Sequence, residues 1–300
     1  MEVTCKLLDP SSSESSALFV GKLVNTLVLK TGNLLGDNLH IILRSVLSKL
    51  QQAKTFTVTQ SLLMVFIQLI RQQIEPTLEF LSSVPGPTGK SALDYILTEW
   101  CAKQNSFYGS YETKVSCDAL CKLLLYVIKT QDTRFFEEIV VPDDDQNDGP
   151  AIVTRSKAKA APKQTNFIPV GFKLFKLLVS ELQNQIEMTT NGVDESDDDD
   201  EEGDWEDVDD EFRSPDKMQM TVQECLDQMF APADWFPDGD GDEDEDDDPD
   251  TKEDPINQAN MKDELTQFVQ QFSQEPCFGN FAQSLNSVER GCLTSLGLAS

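Results

Sequence analysis

VTQSLLMVFIQLIR, residues 58–71, carries apolar side chains on almost every face of a helical projection. A helix of this kind has no broad polar face to turn to water, so it has to be buried by neighbours on more than one side. The stretch is therefore expected inside a stack of helices. Upstream, apolar residues recur at intervals of three and four in two further segments: Val20, Leu23, Val24 and Leu27 form one stripe, and Leu39, Leu43, Val46, Leu47 and Leu50 another. These predict two amphipathic helices between residues 15 and 50, an antiparallel pair with Gly32 and Gly36 in a short connection and Asp37 capping the second member.

Downstream, the same reasoning predicts helices over 75–82, 90–103, 111–128 and 135–140, and then over 167–188, where Phe175, Leu178, Leu182 and Ile186 share a face. Three more are expected at 221–230, 261–272 and 287–296. No strand alternation longer than a few residues competes. The expected fold class is all-α, a HEAT-repeat α-solenoid with ARM-like superhelical stacking and two long disordered acidic insertions. The solenoid is preferred to a closed bundle because helix pairs simply follow one another along the chain. No crisp internal repeat is visible, as in degenerate solenoids. The expected organisation is helical repeats over 1–188 with a basic loop at 142–165, an acidic loop at 189–218, a helix at 219–236, a second acidic loop at 237–255, and terminal helices over 256–300. The chain opens in mid-pattern, so Met1 is expected not to be a natural domain start.

Charge divides the molecule more sharply than hydropathy does. The formal charge of -29 is concentrated in two runs: residues 194–211 hold fourteen acids and no base, and residues 238–254 hold twelve acids and one Lys. Without them the body has 27 acidic and 23 basic residues and is close to neutral. Runs of like charge repel themselves and bury little apolar surface, so they are expected to be disordered when free. A negative field of this size repels nucleic acid and anionic membrane and attracts basic proteins.

Seven cysteines, an odd number mostly inside apolar helical patterns, read as reduced thiols of a cytosolic or nuclear chain. Neither a basic start followed by an apolar run nor a stretch of eighteen apolar residues is present, so secretion and membrane spanning are unsupported.

Motifs for small-molecule chemistry fail on inspection. GPTGKS, residues 86–91, ends like a phosphate-binding loop, but the required first glycine is replaced by Val84, Pro85 and Pro87 remove backbone donors, and the preceding segment is helical. It reads as an inter-helix turn with Lys90 and Ser91 opening the next helix. In DGDGDEDEDDD, Asp238, Asp240 and Asp242 imitate a calcium loop, yet Glu243 and Pro249 occupy the glycine and bidentate positions. Cys117 and Cys121 lie four apart on a helix, and His40, the single histidine, sits beside the stripe of its own helix with Arg44 one turn on. Neither supplies the convergent groups that zinc or nucleophilic catalysis requires. No enzyme activity, metal or cofactor is expected. TRSKAKAAPK, residues 154–163, reads as a nuclear-localisation patch, a contact to the acidic runs, or a plain linker.

The acidic runs remain as the candidate site. A solubilising spacer rarely includes large aromatics, whereas Trp205 lies inside the first run, Phe212 ends it, and Trp235 and Phe236 precede the second. Such a segment is suited to charge steering followed by burial of a ring. The candidate residues for gripping a basic partner are Asp197, Asp198, Asp199, Asp200, Glu201, Glu202, Asp204, Trp205, Glu206 and Asp207 in the first run, and Asp242, Glu243, Asp244, Glu245 and Asp246 in the second.

Several segments, in order, resemble the C-terminal end of importin-β (karyopherin) family receptors: FVGKLVNTLVLKTGNLLGDNLHIILRSVLSKLQQAKTFTVTQSLLMVFIQLI (19–70), LEFLSSVPGPTGKSALDYILTEW (78–100), FYGSYETKVSCDALCKLL (107–124), TRSKAK (154–159) and DDDPDTKEDPINQANMKDELTQFVQQFSQEPC (246–277). The resemblance implies a superhelix of HEAT repeats and a nuclear import receptor that wraps basic cargo such as core histones and ribosomal proteins. It further implies shuttling between cytoplasm and nucleus, contact with Phe-Gly nucleoporins, and regulation by Ran-GTP. Family members are several times longer, and the repeats that carry their principal Ran contact lie outside this chain. Two other readings fit the residues: an acidic histone chaperone without a transport role, and a HEAT scaffold whose acidic runs are inert.

Overall fold

The structure is a computed structural model that describes residues 2–9, 12–17, 19–87, 89–142, 165–191 and 249–298. The described residues are dominated by helices: α1 (Glu2–Leu7), α2 (Glu14–Ala17), α3 (Val20–Leu35), α4 (Asp37–Leu50), α5 (Phe56–Gln72), α6 (Ile74–Ser83), α7 (Ala92–Lys103), α8 (Ser110–Thr130), α9 (Val170–Asn191), α10 (Pro249–Glu253), α11 (Pro255–Gln258), α12 (Met261–Phe272), α13 (Phe278–Gln283) and α14 (Ser287–Ser295). A two-stranded antiparallel ribbon of β1 (Glu138–Pro142) and β2 (Thr165–Pro169) lies between α8 and α9.

The opening stretch forms α5 and is buried on several sides, as its composition requires. Val58, Leu62, Leu63, Val65, Phe66, Ile67 and Ile70 are all at 0% exposure, each worth roughly 1.5–3 kcal/mol of transfer free energy. Helix α5 packs on α3 at one side and α8 at the other, with α4, α6 and α7 closing its back. Helix α9 continues the stack against α7 and α8, and carries α12 and α14 beyond. Most helix contacts join elements one to three apart along the chain, with α5 meeting α3 and α8 most extensively and α9 meeting α12, the near-neighbour contact pattern of an α-solenoid. At the α3–α5 contact the backbones approach closely over Gly21: an added Cβ there would meet the carbonyl and hydroxyl oxygens of Ser61.

Two local devices fasten the first residues to the stack. Lys49, only 2% exposed, donates from Nζ to the carbonyls of Asp9 (3.2 Å) and Ser12 (2.7 Å) and to Ser12 Oγ (2.8 Å). The ammonium thereby spends its three protons on fixed acceptors. Glu14 accepts from the Thr55 hydroxyl (2.8 Å) and backbone N–H (3.2 Å), a carboxylate at the N-terminus of α5.

The sequence reading needs correction at four places, one of them the end of the acidic loop expected over 237–255, where Pro249–Glu253 forms α10 and Pro255 opens α11. Residues 135–140 are not a helix: a short 3-10 turn at Thr133–Phe136 gives way to β1, and β2 takes Phe167–Pro169 out of the helix expected from 167. The β-branched run Ile139–Val140–Val141 finds its partner across the ribbon (Ile139 with Ile168, Val140 with Phe167), a non-local pairing to which helical periodicity is blind. Gly32 lies within α3, and Gly36 alone, at φ 50°, separates α3 from α4. Asp37 is accordingly the first residue of α4 rather than its side-chain cap.

Candidate functional site

The acidic candidates of the first run, Asp197–Asp207, and of the second, Asp242–Asp246, lie outside the described residues, as do Phe212, Trp235, Phe236, the helix expected at 221–230 and the basic segment 154–163. The structure does describe how the scaffold holds both ends of the chain that carries the two runs. Just before that chain, Lys262 Nζ on α12 donates to Thr189 Oγ1 in the last turn of α9 at 2.9 Å. Packing behind this contact is aromatic. Phe175 of α9 meets Phe272 of α12 and Phe281 of α13 at ring-centroid distances of 5.1 and 5.7 Å, and Phe172 meets Phe281 at 4.7 Å. The terminal helices are thus tied to α9 across the interruption, each favourably oriented ring pair adding about 0.5–1.5 kcal/mol beyond its burial.

The other end is a fork. Arg71, in the last turn of α5, donates from Nη1 and Nη2 to the two carboxylate oxygens of Asp254 at 2.6 and 3.0 Å, and from Nε to Asp118 of α8 at 2.7 Å. Asp254 also accepts the Tyr111 hydroxyl (3.1 Å), and it caps α11 by accepting the Ile256 backbone N–H (3.1 Å), with Pro255 at the first helical position. Gln68 donates to the Tyr111 oxygen at 3.2 Å. About one turn along α8 from Tyr111, Lys114 donates to the Asn257 carbonyl at 2.6 Å. The strap α10–α11 is therefore pinned across α5 and α8 at two points. Ile256 packs between them against the core.

Electrostatics agree with this geometry. Burial works to raise Asp254, but the Arg71 fork, the Ile256 N–H and the Tyr111 hydroxyl outweigh it and hold the carboxyl below its ordinary range. The hydrogen bond to Asp254 raises Arg71, against an opposing effect of burial. Burial, followed by the Asp254 charge, pushes Tyr111 up to about 12, so it remains a proton donor.

Beside the fork runs an open cleft of about 440 Å³ over α5, walled by α3 and by the start of α8. Met64 and Gln68 lie on its floor, Phe19 and Tyr108 on its rim, and Thr251 and Asp254 of the strap at its end. Phe19 and Tyr108 are 73% and 48% exposed. Gln60 fixes the rim by a paired contact with Tyr108, donating to its carbonyl (2.7 Å) and accepting from its N–H (3.2 Å).

Sequence reasoning missed this site, because Asp254 reads there only as the last acid of a run and Arg71 only as the end of an apolar helix. Two signals were present: Arg71 is the single charged residue in residues 58–71, and Asp-Pro at 254–255 has the form of a helix cap followed by its first residue. The rejected motifs turn out to be structural elements. In residues 86–91, Gly86 N–H donates to the Lys90 carbonyl (2.7 Å), and Ser91 caps α7 in a reciprocal box with Asp94. His40 is exposed and stacks on Phe80 at 5.3 Å. Cys101 and Cys117 are buried thiols; burial pushes Cys101 up to about 12 and raises Cys117 as well. Among the described residues no three His, Cys, Asp or Glu converge as metal ligands, and no helix is long and apolar enough to cross a membrane.

Comparison with known proteins places this architecture. A family model described as importin-11-like, TPR repeats, matches residues 1–135. Importin-9 of Drosophila melanogaster is 36% identical over 303 aligned positions, covering 98% of this chain and 27% of that protein. Importin subunit beta-5 of Schizosaccharomyces pombe is 26% identical over 67% of the chain and 19% of the relative, and its Saccharomyces cerevisiae counterpart 29% identical over 70% and 21%. The chain spans about a fifth to a quarter of the length of these relatives. This helical stack, matched over nearly its whole length by one importin and over two thirds by two others, belongs to the importin-β (karyopherin) family.

Proposed function

We propose that this chain acts within a nuclear import receptor and that its two acidic runs hold a basic protein cargo, of the class of core histones and ribosomal proteins. The observation that carries the reading is a division of labour on one family scaffold: 26 of the 53 acidic residues stand in two short runs, while the helical body is nearly neutral. Asp197–Asp200, Glu201, Glu202, Asp204, Glu206 and Asp207, with Asp242–Asp246, raise the local concentration of a cationic polypeptide and neutralise its Lys and Arg side chains. They thereby shield it from nucleic acid in transit. Trp205 adds an apolar anchor within that field. Contact with Phe-Gly nucleoporins, response to Ran-GTP and shuttling between cytoplasm and nucleus belong to the complete receptor under the same reading.

The test is a titration of the chain with a core-histone dimer at low and moderate salt, alongside versions lacking 194–211 or 238–248. Each deletion is expected to weaken binding and to flatten its dependence on salt. Unchanged affinity in both would make the runs inert spacers. A complete receptor that binds the dimer yet ignores both Ran-GTP and Phe-Gly repeats would be an acidic chaperone instead.

A further inference from the structure

We infer that Arg71 is a positioning residue for the acidic grip: although its charge has the wrong sign to meet a basic partner, it fixes the point from which the second acidic run departs. The inference rests on the cargo reading above and names the part of the scaffold that makes it directional. Twelve acids stand in residues 238–254. The last of them, Asp254, is held by both its oxygens on Arg71 and by Tyr111, and its side chain is only 17% exposed. It is thus withdrawn from the field that a partner meets and used as a peg. A bidentate guanidinium–carboxylate pair defines direction as well as distance, which a lysine point charge does not. Asp118 locks the guanidinium from the other side through Nε, so the fork has one orientation on α5 and α8.

The position so fixed is specific. Thr251 and Asp254 line the 440 Å³ cleft together with the exposed rings of Phe19 and Tyr108. The nine acids of residues 238–248 therefore begin within a few residues of an open, partly aromatic surface. A tethered charge cluster contributes to binding in proportion to its effective concentration at the contact surface, and that falls when its tether lengthens. With the peg intact the second run joins the scaffold at the strap. With it broken, the strap keeps only the packing of Thr251 and Ile256 and, beyond them, Lys114 on the Asn257 carbonyl, none of which fixes a direction as the fork does.

The test compares two substitutions in the full chain that shift net charge in opposite directions. Arg71→Met makes the protein more negative and Asp254→Ala less so. If the run acts as diffuse charge, Arg71→Met should bind a core-histone dimer more tightly and Asp254→Ala more weakly. If position matters, both should weaken binding, each by roughly three- to tenfold at about 0.1 M salt, and neither should matter once 238–248 is deleted. That loss of effect separates positioning from a general structural defect, which would persist in the deletion. Should Arg71→Met fail to fold, Arg71→Lys takes its place: it keeps the net charge but loses the bidentate fork, so diffuse charge predicts unchanged binding and positioning predicts weaker binding. Equal or tighter binding by Arg71→Met, or weakening that survives the deletion, overturns the inference. A deletion without effect in the otherwise unaltered chain overturns the cargo reading instead.

Discussion

Replacing Asp254 with alanine should release the strap while leaving the stack intact. The substitution removes the two Arg71 bonds at 2.6 and 3.0 Å, the Tyr111 bond at 3.1 Å and the cap on Ile256 at 3.1 Å. Loss of a helix cap costs about 1 kcal/mol. The ion pair, with side chains 13% and 17% exposed, stands between exposed pairs worth roughly 0–1 kcal/mol and buried ones that cost about 3–5 to break. Arg71 keeps Asp118, which places the pair's loss near 2 kcal/mol. The total of about 3 kcal/mol corresponds to a roughly hundredfold rise in local opening. Hydrogen exchange reads it directly at Ile256, Asn257 and Ala259, whose amides bond to the Asp254 side chain, the Asp254 carbonyl and the Ile256 carbonyl. Asparagine at 254 keeps a cap and should lose about 2 kcal/mol. Amides within α5 and α12 should change little. Exchange at 256–259 that stays within about threefold of the unaltered chain would refute the reasoning, as would a rise spread evenly over α5 and α12.

Three other outcomes follow from the same geometry. Gly21→Ala drives a methyl into the Ser61 carbonyl and should lower stability in denaturant unfolding by roughly 1–3 kcal/mol; an unchanged midpoint would mean that α3 and α5 are not so closely apposed. Because the Asp254 carboxyl sits below its ordinary range when folded, its contribution is complete above the unfolded value of about 4 and is lost as pH falls through the folded one. Strap protection should therefore be level from about pH 7 to 5 and decline below about pH 4, and a decline centred near pH 6 would point to another group. Mapped thiol labelling should modify exposed Cys5 in the native chain and reach buried Cys101 and Cys117 only on unfolding; rapid labelling of Cys117 would contradict the packing of α8.

Much of the stack is legible in the sequence because its helices are decided locally. The run from Val58 to Arg71 has too little polar surface to be anything but interior, and Met261–Phe272 follows its apolar spacing residue for residue. The ribbon escapes this reading: Ile139 and Val140 pair with Ile168 and Phe167 nearly thirty residues away, and nothing local distinguishes that outcome from one short helical turn. The Arg71 fork escapes it for a similar reason. An aspartate at the end of an acidic run looks like one more solvated charge until the fold sets it against a guanidinium almost two hundred residues earlier. The charge asymmetry, in contrast, is a property of composition, and it picks out the runs without any knowledge of their surroundings.

The central claim is that the two acidic runs, rather than the near-neutral body, meet a basic partner. Zero-length carbodiimide cross-linking of the chain to a core-histone dimer, with the joined carboxylates mapped by mass spectrometry, tests it most directly. Cross-links to histone lysines are expected to concentrate at Asp194–Glu211 and Asp238–Asp248, and to disappear together as salt is raised. Cross-links that fall chiefly on carboxylates of the helical body, such as Glu75, Glu79 and Asp263, with the runs unmodified, would contradict it.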